Sequence, residues 1–214
     1  MKFNKKAIVF DLDGVICSTD QYHYQAWKAL ADRLGIYFDA KINDRLRGVS
    51  RMASLEIILE HSDKAYTPAE KESFTEEKNN AYRKLLRLMS PSDLSDEVRS
   101  TLNELRRRGY KLAIGSSSKN TKFILERIGL SDFFDAIADG TDITRSKPDP
   151  EVFLLAASKL GIAPADCAVV EDAKAGIEAA RAGGMTALAL AGDAKNCGLE
   201  DYDLTSFEDL LNIL

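Results

Sequence analysis

Asp11 and Asp13 flank a single leucine directly after the apolar run Ala7-Ile8-Val9-Phe10. Strand side chains alternate faces, so both carboxylates point to one side as the chain turns at Gly14. Like charges held together call for a metal ion or a protonated partner. A second acidic pair, Glu171-Asp172, follows the apolar run Ala168-Val169-Val170. Two such pairs meeting at one sheet edge suit a hard divalent cation with oxygen ligands, and Mg²⁺ fits best if phosphate completes its shell. After Leu112-Ala113-Ile114 comes Gly115-Ser116-Ser117-Ser118-Lys119-Asn120, opening a helix. Serine hydroxyls and free N–H groups there form a ready anion site. Lys147, ahead of Pro148-Asp149-Pro150, is placed to neutralise carboxylates and phosphate alike, with Asp149 free to cap the following helix. Taken singly, each feature has an ordinary explanation. An Asp-x-Asp closes many strands as a turn former, Ser117 suits an N-cap, and a lysine beside a turn is commonly solvated.

The elements that must position these groups are legible in the apolar pattern. Short β-rich runs occupy Ala7 to Phe10, Tyr110 to Ile114, Ala168 to Val170 and Ala187 to Leu190. Amphipathic helix patterns lie between the later ones and stop at Gly109, Gly129, Gly161 and Gly183-Gly184. Strand and helix in alternation predict an α/β fold, Rossmann-like, with a mostly parallel sheet and helices on both faces. Ligands of such sheets bind at the carboxyl ends of the strands, where all the polar groups above fall. From Thr19 to Leu88 the texture changes. Trp27, Leu30, Ala31 and Leu34 line one helical face, Met52, Leu55, Ile58 and Leu59 a second, and Phe74, Ala81, Leu85 and Leu86 a third. This predicts a helical domain over 18–90 inserted into an α/β core formed by 1–17 and 91–214, with Ser90-Pro91-Ser92 marking the return.

The bulk properties narrow the partners. The chain has 214 residues, 45% of them hydrophobic, and a formal net charge of -5, with a pI near 5.2. That argues against general nucleic-acid binding, which wants a basic face. There is no apolar stretch long enough to span a membrane. The apolar run near the start ends after four residues at Asp11, too short for a signal peptide. Cys17, Cys167 and Cys197 are widely spaced, so free thiols in a reducing cytoplasm are expected, with Cys17 a small buried apolar residue. A monomer is expected.

The order DxDG, Ser, KPxP, ED resembles the haloacid dehalogenase superfamily, and the helical insert after the first motif is similar to the small α-helical cap of one of its branches. Tyr22 to Trp27, Arg47-Gly48-Val49-Ser50-Arg51, Lys78-Asn79, Ser116 to Asn120, Phe134 to Asp139 and Ser146-Lys147-Pro148 resemble the β-phosphoglucomutase branch. The likeness fades after about Gly184. It implies Mg²⁺-dependent phosphoryl transfer between β-D-glucose 1-phosphate and glucose 6-phosphate, through an aspartyl phosphate on Asp11. By the same resemblance, Asp11, the Asp13 backbone carbonyl, Glu171 and Asp172 would hold the metal. Ser116 and Lys147 would stabilise the transferring oxygens, and Asp13 would carry the proton. Arg51, Ser118 and Asn120, with Lys119 nearby, would hold the other phosphate. Gly48, Val49 and Ser50 would approach the sugar, His23 and Lys78 would lie near Asp13 on cap closure, and Thr19 would be the hinge. From the residues alone, His23 reads as solvated, Trp27 as cap core and Arg47 as a solvated charge, and His61 has no role. Ser18 and Ala173 stand where relatives often carry Asp and Ser or Asn. A sugar-phosphate phosphatase on the same scaffold shares the core motifs, and an inactive sugar-phosphate-binding module is the alternative of another class.

Overall fold

The computed structural model describes residues 3–46 and 49–214. Six parallel strands form one sheet in the order β3-β2-β1-β4-β5-β6. They are β1 Ala7–Phe10, β2 Lys111–Gly115, β3 Ala136–Ala138, β4 Cys167–Glu171, β5 Thr186–Ala189 and β6 Tyr202–Asp203. β1 lies at the centre, flush with both neighbours: Phe10 pairs with Ile114 on one side and Val170 on the other. That register brings Asp11, Ser116 and Glu171 to one edge, although more than 100 residues separate the first from the second in sequence.

Alternate strand residues enter opposite apolar layers, as the two-residue period of a strand requires. Ile8, Phe10, Leu112, Ile114 and Val170 pack under α5 (Asp96–Arg107), α6 (Thr121–Arg127) and α9 (Leu210–Ile213). Ala7, Val9, Ala113 and Val169 pack under α7 (Glu151–Leu160) and α8 (Lys174–Ala182). The expected α/β architecture is therefore present, and every strand pair is parallel. The edge strands β3 and β6 were not foreseen. They are three and two residues long, too short for the alternation that marks a strand in sequence.

Between β1 and α5 the structure holds helices α1 (Asp20–Leu34), α2 (Ala40–Asp44), α3 (Arg51–Leu59) and α4 (Pro68–Leu86). Among the described residues from 18 to 90 there is no strand. α1 ends at Gly35 in the left-handed region, and α4 starts with a Thr67–Glu70 capping box followed by Pro68. Trp27, Leu30, Phe38, Leu55 and Ile58 build an apolar cluster of their own, while Tyr82, Leu86 and Met89 join the layer beneath the sheet. Arg127 on α6 donates to the carbonyls of Arg87 and Met89 and so fixes the chain where it returns from the helices. Met52 departs from expectation. It was read as part of a buried face but is 40% exposed, because the first turn of α3 borders the cavity described below. Among the described residues no helix is long and apolar enough to cross a membrane.

Candidate active site

At the carboxyl edge of the sheet Lys147 binds two carboxylates. Its Nζ lies 2.5 Å from Asp11 Oδ1 and also donates to Glu171 Oε1. Burial opposes the ammonium charge, but Asp11 and Glu171 outweigh it and hold the lysine pKa well above its ordinary value. The face of Phe153 lies 4.6 Å from the ammonium, in space left by Gly115, where a β-carbon would come within 2.6 Å of the ring. Glu171 Oε2 accepts from the backbone N–H groups of Asp172 and Ala173, both at 3.0 Å. Ala173 itself gives α8 no side-chain cap. Glu171 and Asp193 take that work, the latter accepting from Lys174 N at 2.8 Å.

Asp11, Glu171 and Asp172 each offer a carboxylate oxygen, all within 4.8 Å of one another. Burial, then the charges of Glu171 and Asp11, push Asp172 up to about 8. Burial raises Glu171 to about 7 against the pull of Lys147. Two buried carboxylates and the half-buried Asp172, facing one lysine, form a negative pocket of hard oxygen donors, which fits a small divalent cation.

Asp13 keeps different company. Its carboxylate is not among the three; it turns away and accepts a hydrogen bond from the Thr19 hydroxyl. Thr19 stands at the N-cap position of α1 yet makes no side-chain cap, because its hydroxyl is spent on Asp13. Burial and the neighbouring Asp11 raise Asp13 to about 7, so near neutrality it can hold or release a proton. Behind it, Lys78 Nζ lies 2.7 Å from His23 Nδ1, with Trp27 and Tyr82 rings 4.7 and 4.5 Å away. Burial, then the Arg51 charge, hold Lys78 well below the usual lysine value; burial, then Lys78, do the same to His23. His23 is therefore not the solvated residue its position suggested: its ring lies 4.1 Å from that of Tyr82.

The serine loop supplies the opposite wall. Ser116 Oγ accepts from Ser118 N and Ser118 Oγ from Asn120 N, both at 3.2 Å. Asn120 precedes α6 but donates its side-chain amide to Asn79 on α4, at 3.0 Å. The Ser117 hydroxyl is buried without a partner.

A cavity of about 490 Å³ joins these groups. From the core it is lined by Asp11, Asp13, Ser116, Ser118, Lys119, Asn120, Lys147, Glu171 and Asp172, and from the helices by His23, Val49, Ser50 and Arg51. Ser50 caps α3 by accepting from Ala53 N at 3.2 Å, and burial lowers the Arg51 pKa. Thr19 and Lys78 stand one layer behind. Gly48 and Arg47 lie outside the described residues. Ser18 is exposed, as is His61. Cys17 is buried, and all three cysteines are free. Trp27 is indeed in the helical core but also borders the cavity. Ser54, Thr75 and Tyr82 line it too and were missed. Helical spacing was the available signal: Ser54 follows Arg51 by three residues, and Thr75 and Tyr82 flank Lys78 by three and four.

Comparison with known proteins follows the same lines. A family model described as haloacid dehalogenase-like hydrolase matches residues 5–184. A β-phosphoglucomutase of Bacillus subtilis (strain 168) is 44% identical over 185 residues, covering 86% of this chain and 82% of its own. A fructose-1-phosphate phosphatase of Escherichia coli (strain K12) is 34% identical, covering 85% and 94%. The crystal structure of a β-phosphoglucomutase from Clostridium difficile is similar with a TM-score of 0.89 at 38% identity, covering 96% of this chain and 93% of that one.

Proposed function

The chain belongs to the haloacid dehalogenase-like hydrolases, and from that premise we propose that it is a Mg²⁺-dependent mutase interconverting β-D-glucose 1-phosphate and glucose 6-phosphate. Asp11 is the nucleophile. It attacks phosphorus in line, forms an aspartyl phosphate and releases the sugar oxygen. Lys147 and Ser116 neutralise charge on the transferring oxygens. Asp11, Glu171, Asp172 and the Asp13 backbone carbonyl would hold Mg²⁺, which when bound supplies charge neutralisation of the phosphoryl oxygens. The Asp13 carboxyl gives its proton to the departing sugar oxygen, then takes one from the hydroxyl that attacks next. Arg51, Lys119, Ser118 and Asn120 hold the non-transferring phosphate, Val49 and Ser50 bring cap backbone to the sugar, a role the family resemblance extends to Gly48, and His23 and Lys78 govern when Asp13 engages. Residues 18–90 act as a lid on the core, hinged at Thr19, that favours a sugar hydroxyl over water as acceptor.

The observation that carries this reading is the split between the two aspartates. Asp11 is committed to Lys147 and the acidic cluster, while Asp13 is held clear of that cluster by Thr19 with a carboxyl that titrates near neutrality. A sugar-phosphate phosphatase is the second reading, favoured by the 34% identical phosphatase relative. ³¹P and ¹³C NMR decide between them. With β-glucose 1-phosphate, Mg²⁺ and a trace of the 1,6-bisphosphate, the mutase yields glucose 6-phosphate. Free glucose with inorganic phosphate supports the phosphatase, and no turnover supports an inactive binding module.

A further inference from the structure

The Glu171 carboxyl group is 1% exposed and fully engaged: Lys147 holds one oxygen, and the N–H groups of Asp172 and Ala173 hold the other. Its fourth side is Gly176, in the first turn of α8. A β-carbon built at Gly176 would overlap the Glu171 carboxyl carbon and Oε1. Glycine inside a helix is less favourable than alanine because it loses more conformational freedom on folding. Gly176 is absent from the residues with positive φ, so no unusual backbone conformation explains it. What the glycine supplies is space. Gly14 and Gly192 press on the neighbouring Asp172 in the same way: a β-carbon on Gly14 would overlap its carboxylate, and one on Gly192 its carbonyl oxygen. Both of those have positive φ, a second reason to be glycine.

We propose that Gly176 is a positioning residue for the metal-binding carboxylate, its missing side chain being the space in which Glu171 is seated towards Asp11 and Asp172. The proposal rests on the Mg²⁺ reading above. A methyl group at 176 has one soft neighbour to displace, the far end of Glu171. Moving it shifts the carboxylate within its seat between Lys147 and the two N–H groups, away from Asp11 and Asp172, while helix α8 itself gains a better helix former.

The expected outcome is therefore a separation of metal affinity from stability. By calorimetric titration of the purified protein with MgCl₂, without substrate, Gly176→Ala weakens Mg²⁺ binding by about tenfold or more, the usual cost of disturbing a ligand's support. The thermal midpoint of the metal-free protein stays level or rises. A glycine needed only for helix–sheet packing gives the opposite pattern, a lowered midpoint with intact affinity, and that result overturns the proposal. A double-mutant cycle with Glu171→Asp is the second measurement. The shorter carboxylate retreats from residue 176, so the double variant binds Mg²⁺ no more weakly than Glu171→Asp alone. Additive losses overturn the proposal. Equal binding by wild type and Gly176→Ala overturns it while leaving the metal reading intact; a wild type that takes up no Mg²⁺ overturns both.

Discussion

Asp11 and Asp13 differ by their neighbours, since their chemistry is identical. Asp11→Asn removes the proposed nucleophile, and turnover of the sugar phosphate should fall below detection by NMR. Thr19→Val is the subtler test. It keeps the shape and removes the hydroxyl that Asp13 accepts from, a bond worth about 1 kcal/mol. The expected result is a fall of about fivefold or more in kcat, with a melting midpoint close to wild type. Unchanged kcat would show that Thr19 does not govern Asp13. Asp11, Ser116, Glu171 and Asp172 could be read from the sequence because each closely follows an apolar run, where a parallel sheet delivers its polar groups, and Lys147 by the prolines that follow it. Ser54 and Thr75 offered only their helical spacing from Arg51 and Lys78. Each is a small polar residue on a helix, and only the packing of α3 against α4 turns it towards the cavity.

At the scale of the element, α4 is the clearest case of one helix carrying several tasks. Thr75, Lys78 and Tyr82 share its inner face, and Asn79 reaches across to the serine loop. Lys78 is buried among Trp27, Tyr82 and His23, with Arg51 lowering its pKa and Asp13 raising it. Its pKa is lower in the folded than in the unfolded chain, so the unfolded chain binds more protons and stability rises with pH across that interval. Lys78→Met should therefore melt higher than wild type near neutral pH. The gap should narrow as pH approaches the ordinary lysine value of about 10.4, and activity should be lost. A gap that does not change with pH would refute the account. α1, α3 and α4 were legible from their apolar stripes, whereas α2 and the edge strands were not. α2 has five residues and is secured by the Asp39 carboxylate accepting from Ile42 N at 2.9 Å. Such a contact leaves no periodic trace.

For the whole molecule, the cavity belongs to two apolar bodies at once, and closing it requires the helices to meet the core in one register. The Asn120–Asn79 hydrogen bond is a direct tie between them. Asn79→Ala removes it at a cost of about 1 kcal/mol. If closure limits binding, the fraction of competent protein falls and KM rises about fivefold, with kcat at saturation little changed. Steady-state kinetics checks this, and a drop in kcat at constant KM would assign Asn79 to the chemical step instead. The parallel sheet and its inserted helices could be anticipated from texture. The tie between asparagines could not, because it joins positions 41 apart whose neighbours say nothing of each other.

Cys17 and Met89, at the two ends of the inserted helices, belong to one apolar layer, and Arg127 fastens the returning end to α6. A loop whose departure and re-entry points share one layer is a replaceable module. Selection, natural or in the laboratory, can rewrite much of what lies between them while Asp11, Ser116, Lys147 and the Glu171-Asp172 pair stay in place at the sheet edge. New acceptors and new substrates are therefore reachable by changes confined to about a third of the chain, with the groups at the sheet edge inherited unchanged.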